Sequence, residues 1–230
     1  MPNKLIIALD FNNRNEALTL IDKLDPAFCA LKVGSEMFTL FGSTFIKQLI
    51  NKQFKLFLDL KFFDIPNTVA RACKACADLG VWMINVHAMG GINMMCAARE
   101  AIESFGANRP LLVAVTVLTS FDQDELACIG VNHSLQNQVS LLAKLTKDSG
   151  LDGVVSSALE VKLIKEKCGA EFIAVTPGIR LPENKQDDQN RIVTPHQAIS
   201  QGSDYLVIGR PVTQALDPAA VVQKILLDIY

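Results

Sequence analysis

The sequence predicts a (β/α)8 barrel, and three observations carry that prediction. Apolar, strand-like runs recur eight times along 230 residues, at a spacing of just under thirty. Segments of helical periodicity lie between them, so strand and helix alternate as in βαβ units. Glycines punctuate the return from helix to strand: Gly80, Gly106, Gly150, Gly169 and Gly202 each follow a helical stretch, where a left-handed residue is wanted. The length is close to the usual ~250 residues of such barrels, so one barrel domain over residues 1–230 is expected. A doubly wound open sheet is the runner-up. The turn after the first strand lacks G-x-G-x-x-G, which weakens a dinucleotide-binding version of it.

Taken in order, residues 5–10 form the first strand, with Ile6, Ala8 and Asp10 on one face and Leu5, Ile7 and Leu9 on the other. Helical periodicity over 16–21 follows. The second strand, 28–33, sets Phe28, Ala30 and Lys32 against Leu31 and Val33. The third, 54–61, sets Phe57, Asp59 and Lys61 against Leu56, Leu58 and Leu60. Pro66 falls where a first-turn proline is tolerated, and a helix is expected over 68–79. Strand four (82–87) ends in Asn-Val-His-Ala and leads to a helix over 92–105. Strand five (111–118) runs into Thr119 and Ser120, with a helix over 139–146 beyond. Strand six is 153–156, followed by a helix over 159–167. Strand seven (172–175) leads into Thr176-Pro177-Gly178-Ile179-Arg180. Strand eight (205–208) leads into Gly209-Arg210-Pro211, and one helix from 212 to 229 closes the set.

Composition narrows the functional classes. Half the residues are hydrophobic and 20% are charged, which excludes a disordered chain or a coiled coil. A net charge of −2 leaves no basic face for nucleic acid. The apolar runs are too short to cross a bilayer, and the N-terminal one is too short for a signal peptide. A soluble cytoplasmic protein is therefore expected, with no membrane partner. The six cysteines read as reduced, mostly buried thiols. Cys73 and Cys76 spell C-x-x-C, but they lie inside a helical pattern far from the three histidines, so they read as structural.

Barrel enzymes carry their chemistry at the C-terminal strand ends. Asp10, Lys32, Asp59 and Lys61 close three neighbouring strands on one inferred interior face. Burying a lone charge costs several kcal/mol. Such a group is tolerable only if acids and amines alternate, as a structural ion-pair cluster or as a catalytic array. The location favours catalysis. His87 reads as a supporting interior histidine. Thr119 stands between holding a polar ligand and capping a helix, and at Ser156 and Ser157 a helix cap is favoured. Arg180, Gly209 and Arg210 follow strands seven and eight, where barrels often bind phosphate. Pro211 is placed to open a helix whose N–H groups face that anion.

The stretch Asp59-Leu60-Lys61-Phe62-Phe63-Asp64-Ile65-Pro66-Asn67-Thr68 resembles the D-x-K-x-x-D-I-P-x-T signature of the orotidine 5′-phosphate decarboxylase family. Ala8-Leu9-Asp10, Leu31-Lys32-Val33-Gly34, Val86-His87-Ala88, Pro177-Gly178-Ile179-Arg180 and Ile208-Gly209-Arg210-Pro211 extend the likeness along the whole chain. The resemblance implies decarboxylation of orotidine 5′-phosphate to UMP without metal or other cofactor, by a homodimer with active sites at the subunit interface. It implies Lys61, Asp59, Lys32 and Asp64 as the catalytic set, with Lys61 the proton donor. Lys32, Asp59 and Lys61 would come from one subunit, and Asp64, Ile65 and Thr68 from the other. Asp10 would bind the ribose, Thr119 the pyrimidine, and Arg180, Gln189, Gly209 and Arg210 the phosphate. The polar stretch 182–191 would then be a closing lid.

Two rivals remain at this point. Mg2+-dependent sugar-phosphate enzymes of the same barrel group, such as 3-keto-gulonate 6-phosphate decarboxylase, share D-x-K-x-x-D but carry an acid near the end of strand two, where this chain has Lys32. A non-catalytic nucleotide-binding barrel would not need the Asp59, Lys61 and Asp64 set.

Overall fold

A computed structural model describes residues 4–181 and 193–230. Eight parallel strands close into a barrel in chain order: β1 (Leu5–Leu9), β2 (Ala30–Gly34), β3 (Leu56–Phe62), β4 (Met83–His87), β5 (Leu111–Val115), β6 (Gly153–Val155), β7 (Ile173–Thr176) and β8 (Tyr205–Ile208). The pairing of β1 with β8 seals the ring and excludes the open sheet. The helices are α1 (Arg14–Ile21), α2 (Ser35–Asn51), α3 (Pro66–Asp78), α4 (Gly91–Glu103), α5 (Gln123–Cys128), α6 (Leu135–Asp148), α7 (Val161–Cys168), α8 (Pro195–Ser200), α9 (Arg210–Thr213) and α10 (Pro218–Ile229).

Strand alternation sorts the core into two parts. Leu5, Ile7, Leu9, Leu31, Val33, Leu56 and Leu58 face outward and pack beneath the helices. Ile6, Ala8, Ala30, Phe57, Met83, Val113, Val175 and Val207 face inward and fill the barrel. Because side chains repeat every two residues, the inward positions just above Ala30, Phe57 and Met83 are Lys32, Asp59 and Asn85. A polar layer therefore rests directly on an apolar floor. At the opposite end, a forked Arg109–Asp152 pair (2.8 and 2.7 Å) and a Lys165–Asp204 pair (2.7 Å) tie strand starts together.

The five helix-ending glycines all have positive φ, from 56° to 102°. Three helices lie outside the segments read from periodicity: α2, α5 and α8. α2 is broken at Gly42 (φ 63°), which interrupts its apolar period. α8 is marked by Thr194, Pro195 and Gln197, which form a capping box around a first-turn proline. The single closing helix expected over 212–229 is two helices. Pro218 forces its predecessor out of helical geometry; Asp217 sits at φ −123°, ψ 90° and its carboxylate caps Ala220. Phe28 does not share the inner face of strand two. It lies in a turn closed on Asp25 and is 42% exposed. Strand five ends at Val115, which leaves Thr119 in the following loop.

Candidate active site

Asp10, Lys32, Asp59 and Lys61 meet at the mouth of the barrel with acids and amines alternating, as the enclosure of Lys32 and Asp59 requires. Lys32 Nζ lies 3.2 Å from Asp10 Oδ1 and 3.6 Å from Asp59 Oδ2. Lys61 Nζ donates to Asp59 Oδ1 over 2.7 Å. Asp59 and Lys32 are the enclosed members, with 13% and 11% of their side chains exposed. Asp10 and Lys61 open to solvent at 69% and 41%. Two acids and two amines leave the array formally neutral.

Burial by itself would raise the pKa of Asp59. The ammoniums of Lys32 and Lys61, with hydrogen bonds from Lys61 and Asn85, reverse that and hold the carboxyl below its ordinary value. The array therefore keeps a carboxylate ionised in an enclosed site. His87, one inward position beyond Asn85, has its pKa lowered by burial and then by the charge of Lys61. Its ring stacks on Phe63 at 5.6 Å, and Nδ1 accepts the Met89 N–H. A neutral ring with its proton on Nε2 fits both contacts.

A cavity of about 350 Å3 opens above this array. Asp10, Lys32, Asp59 and Lys61 line one part of it. Thr119, Gly178, Arg180, Gly209 and Arg210 line the rest. A second cavity of about 240 Å3 shares the four charged residues and extends toward Ser35 and Glu36. The residues read as an anion site therefore border the same space as the charged array. Arg180 is buried and Arg210 is exposed. A Cβ at Gly209 would stand 3.5 Å from that of Ala8 and 3.9 Å from Asp10 Oδ2, within the mouth. The helix after Gly209 is one turn of four residues, so its dipole is slight. Charge complementarity here comes from the two guanidinium groups.

Asp64, Ile65 and Thr68 are not gathered into this cavity by their own chain. All three are exposed on the loop and first turn after β3, and the Asp64 carboxylate accepts the Ile65 N–H. Gln189 and the stretch 182–191 lie outside the described residues. Ser157 caps the turn before α7 with Glu160 in a capping box, as expected. Ser156 is not a cap; it is buried at the strand end. Cys73 and Cys76 are free, buried thiols on α3. Burial raises both pKa values, to about 12 and about 11, so neither is a reactive thiolate.

Asn85 is the residue that strand-end reading passes over. It is fully buried. Its Nδ2 donates to Asp59 Oδ1 over 2.7 Å, and its Oδ1 accepts the Lys61 backbone N–H over 2.8 Å. The available signal is a polar side chain at an inward position of β4, two residues above Met83.

Residues 3–225 match the family described as Orotidine 5′-phosphate decarboxylase / HUMPS family. The chain is 62% identical over 229 residues to the orotidine 5′-phosphate decarboxylase of Legionella pneumophila (strain Paris), with 100% of each covered. It is 59% identical over 222 residues to the enzyme of that name from Vibrio vulnificus (strain YJ016), with 96% of each covered. Among solved structures, orotidine 5′-phosphate decarboxylase from Lactobacillus acidophilus superposes with a TM-score of 0.89 at 40% identity, covering 99% of each chain. An uncharacterized conserved protein from Geobacillus kaustophilus superposes with a TM-score of 0.88 at 39% identity, covering 98% of this chain and 100% of the other.

Proposed function

This chain belongs to the orotidine 5′-phosphate decarboxylase / HUMPS family, and from that premise we propose how its residues carry out the reaction. It is a carboxy-lyase of pyrimidine biosynthesis, converting orotidine 5′-phosphate to UMP and CO2. The alternating Asp10–Lys32–Asp59–Lys61 array, in a cavity shared with Arg180 and Arg210, is the observation that carries the mechanism.

Loss of CO2 from C6 of the pyrimidine leaves an electron pair in the ring plane, where the π system cannot accept it. The protein must stabilise that charge with fixed charges in a water-poor site. Lys61 is the residue suited to this. The C6–carboxylate bond breaks, its electron pair stays on C6, and the developing carbanion faces the Lys61 ammonium. A proton then passes from Nζ to C6, and the neutral amine is recharged from solvent. Asp59 borders the departing carboxylate and orients Lys61. Lys32 holds Asp59 ionised and links it to Asp10, whose exposed carboxylate is placed to bind ribose hydroxyls. Thr119 serves the pyrimidine. Arg180, Gly209 and Arg210 serve the phosphate, whose binding energy orients the remote reacting carbon.

The reaction in this reading uses no metal or cofactor. Lys32 supports that, because it sets an ammonium against Asp59 where the Mg2+-dependent relatives of this barrel carry an acid. Asp64, Ile65 and Thr68 act on the site of a second copy. Their exposure, and their absence from the lining of their own chain's cavity, support a homodimer. Exposed Phe63 (62%) and Ile65 (65%) beside them give that contact an apolar component. No helix among the described residues is long and apolar enough to cross a membrane, and we place the protein in the cytoplasm.

The test is conversion of orotidine 5′-phosphate to UMP by purified protein after chelation, followed by the loss of pyrimidine absorbance. Undiminished turnover is expected. Absence of turnover, or dependence on added Mg2+, would overturn the reading.

A further inference from the structure

We propose that Asn85 is a positioning residue for the decarboxylation, holding the Asp59 carboxylate and the Lys61 backbone together in the one geometry that aims the Lys61 ammonium. The inference rests on the functional reading above.

The ladder between β3 and β4 pairs Phe57 with Met83 and Leu58 with Ile84, then resumes with Phe62 opposite Val86. Asp59, Leu60 and Lys61 thus stand opposite the single residue Asn85. This is a bulge, which leaves ladder groups unpaired and re-aims side chains. Lys61 lies at φ 50° inside it, a left-handed conformation that a non-glycine residue keeps only where its surroundings enforce it. The Asn85 side chain supplies that enforcement. Its amide oxygen takes the Lys61 N–H that the broken ladder leaves over, and its NH2 group donates to Asp59. A small side chain with a donor and an acceptor in one rigid plane meets both needs. An apolar residue would strand a buried N–H, and an ionised acid would repel Asp59.

The charged groups paired with Asp59 are Lys32 from β2 and Lys61 from β3; Asp10 lies beyond Lys32 at the end of β1, and His87 from β4 feels the charge of Lys61. Arg180 and Arg210 border the same cavity. Asn85 is the neutral member of this set, and its hydrogen bond is one of the causes that hold the Asp59 carboxyl down.

The experiment compares the parent with Asn85→Ala and Asn85→Asp in kcat, KM, UMP affinity and thermal melting across pH, together with an NMR titration of the Asp59 carboxyl. In Asn85→Ala, kcat falls by about 10²-fold, KM and UMP affinity stay near parental values, and Asp59 titrates at higher pH. In Asn85→Asp the introduced carboxyl replaces the amide only while protonated, so kcat recovers on the acid side and falls on the alkaline side. Unchanged kcat in Asn85→Ala, or a loss that follows the melting temperature with Asp59 titrating as in the parent, would overturn the proposal. If the parent itself fails to turn over orotidine 5′-phosphate, the functional reading falls, while the carboxyl titration still decides whether Asn85 holds Asp59.

Discussion

Lys61 Nζ and Asp59 Oδ1 are 2.7 Å apart although the two residues lie two positions apart on one strand. Alternation puts both side chains on the inner face, and the bulge at Lys61 brings their ends together. The ion pair is therefore local in sequence, but its geometry is set by the neighbouring strand.

In the proposed mechanism, replacing Lys61 with alanine removes both the proton donor and the charge opposite C6. The loss in kcat is expected to reach at least about 10³-fold, the product of modest acid–base and electrostatic contributions. The barrel should stay folded, because Asp59 retains Lys32. The same variant should raise the pKa of His87, since burial would then act without the nearby positive charge. Histidine ring proton shifts read that change. An unmoved His87 would show that Lys61 does not face it, and substantial residual turnover would remove Lys61 as donor.

Asp59 carries a pH-dependent share of stability. Its carboxyl is held below the ordinary value in the folded chain, so the unfolded chain binds more protons in the interval between the two. Stability therefore rises with pH across that interval. The contribution is complete above about pH 5 and is lost as pH falls through the unfolded value of about 3.9 and then the folded one. Urea unfolding of the parent and Asp59→Asn between pH 6 and pH 3 checks the sign. The difference, parent minus variant, should shrink toward acid, and a flat difference would refute it.

Arg210 is expected to act on the phosphate and not on the bond that breaks. Arg210→Ala should lower kcat/KM for orotidine 5′-phosphate by about 10²-fold, in the range of a charge-assisted contact of roughly 2–3 kcal/mol. Activity on orotidine, which lacks the phosphate, should be unaffected. A parental kcat/KM on the nucleotide, or an equal loss on the nucleoside, would dismiss the phosphate assignment.

The proposed sharing of the site between two copies makes a distinctive prediction. Lys61→Ala and Asp64→Ala should each be nearly inactive alone. Mixed under conditions of subunit exchange, half the dimers become hybrids, and each hybrid regains one intact site by two-fold symmetry, so about a quarter of parental activity should return. If mixing restores nothing while native mass spectrometry shows hybrids, Asp64 does not serve the partner's site.

The sequence by itself determined the alternation of eight strands with helices, the glycines at the helix ends, and the inward set of Asp10, Lys32, Asp59 and Lys61. These follow from periods of 2 and 3.6 residues, which any short window of chain expresses. The break before Pro218 and the capping box at Thr194 were equally local, but the apolar period of the closing helix and the polar flank of α8 obscured them. Only the tertiary structure decided the contacts of Asn85 and the backbone geometry of Lys61. A bulge depends on how two strands pair, three residues against one here, and no single strand records its partner's register. The same holds for the joining of Arg180 and Arg210 to the charged array. Closure of β8 onto β1 brings the last strand's loop beside the first strand's Asp10, across nearly the full length of the chain.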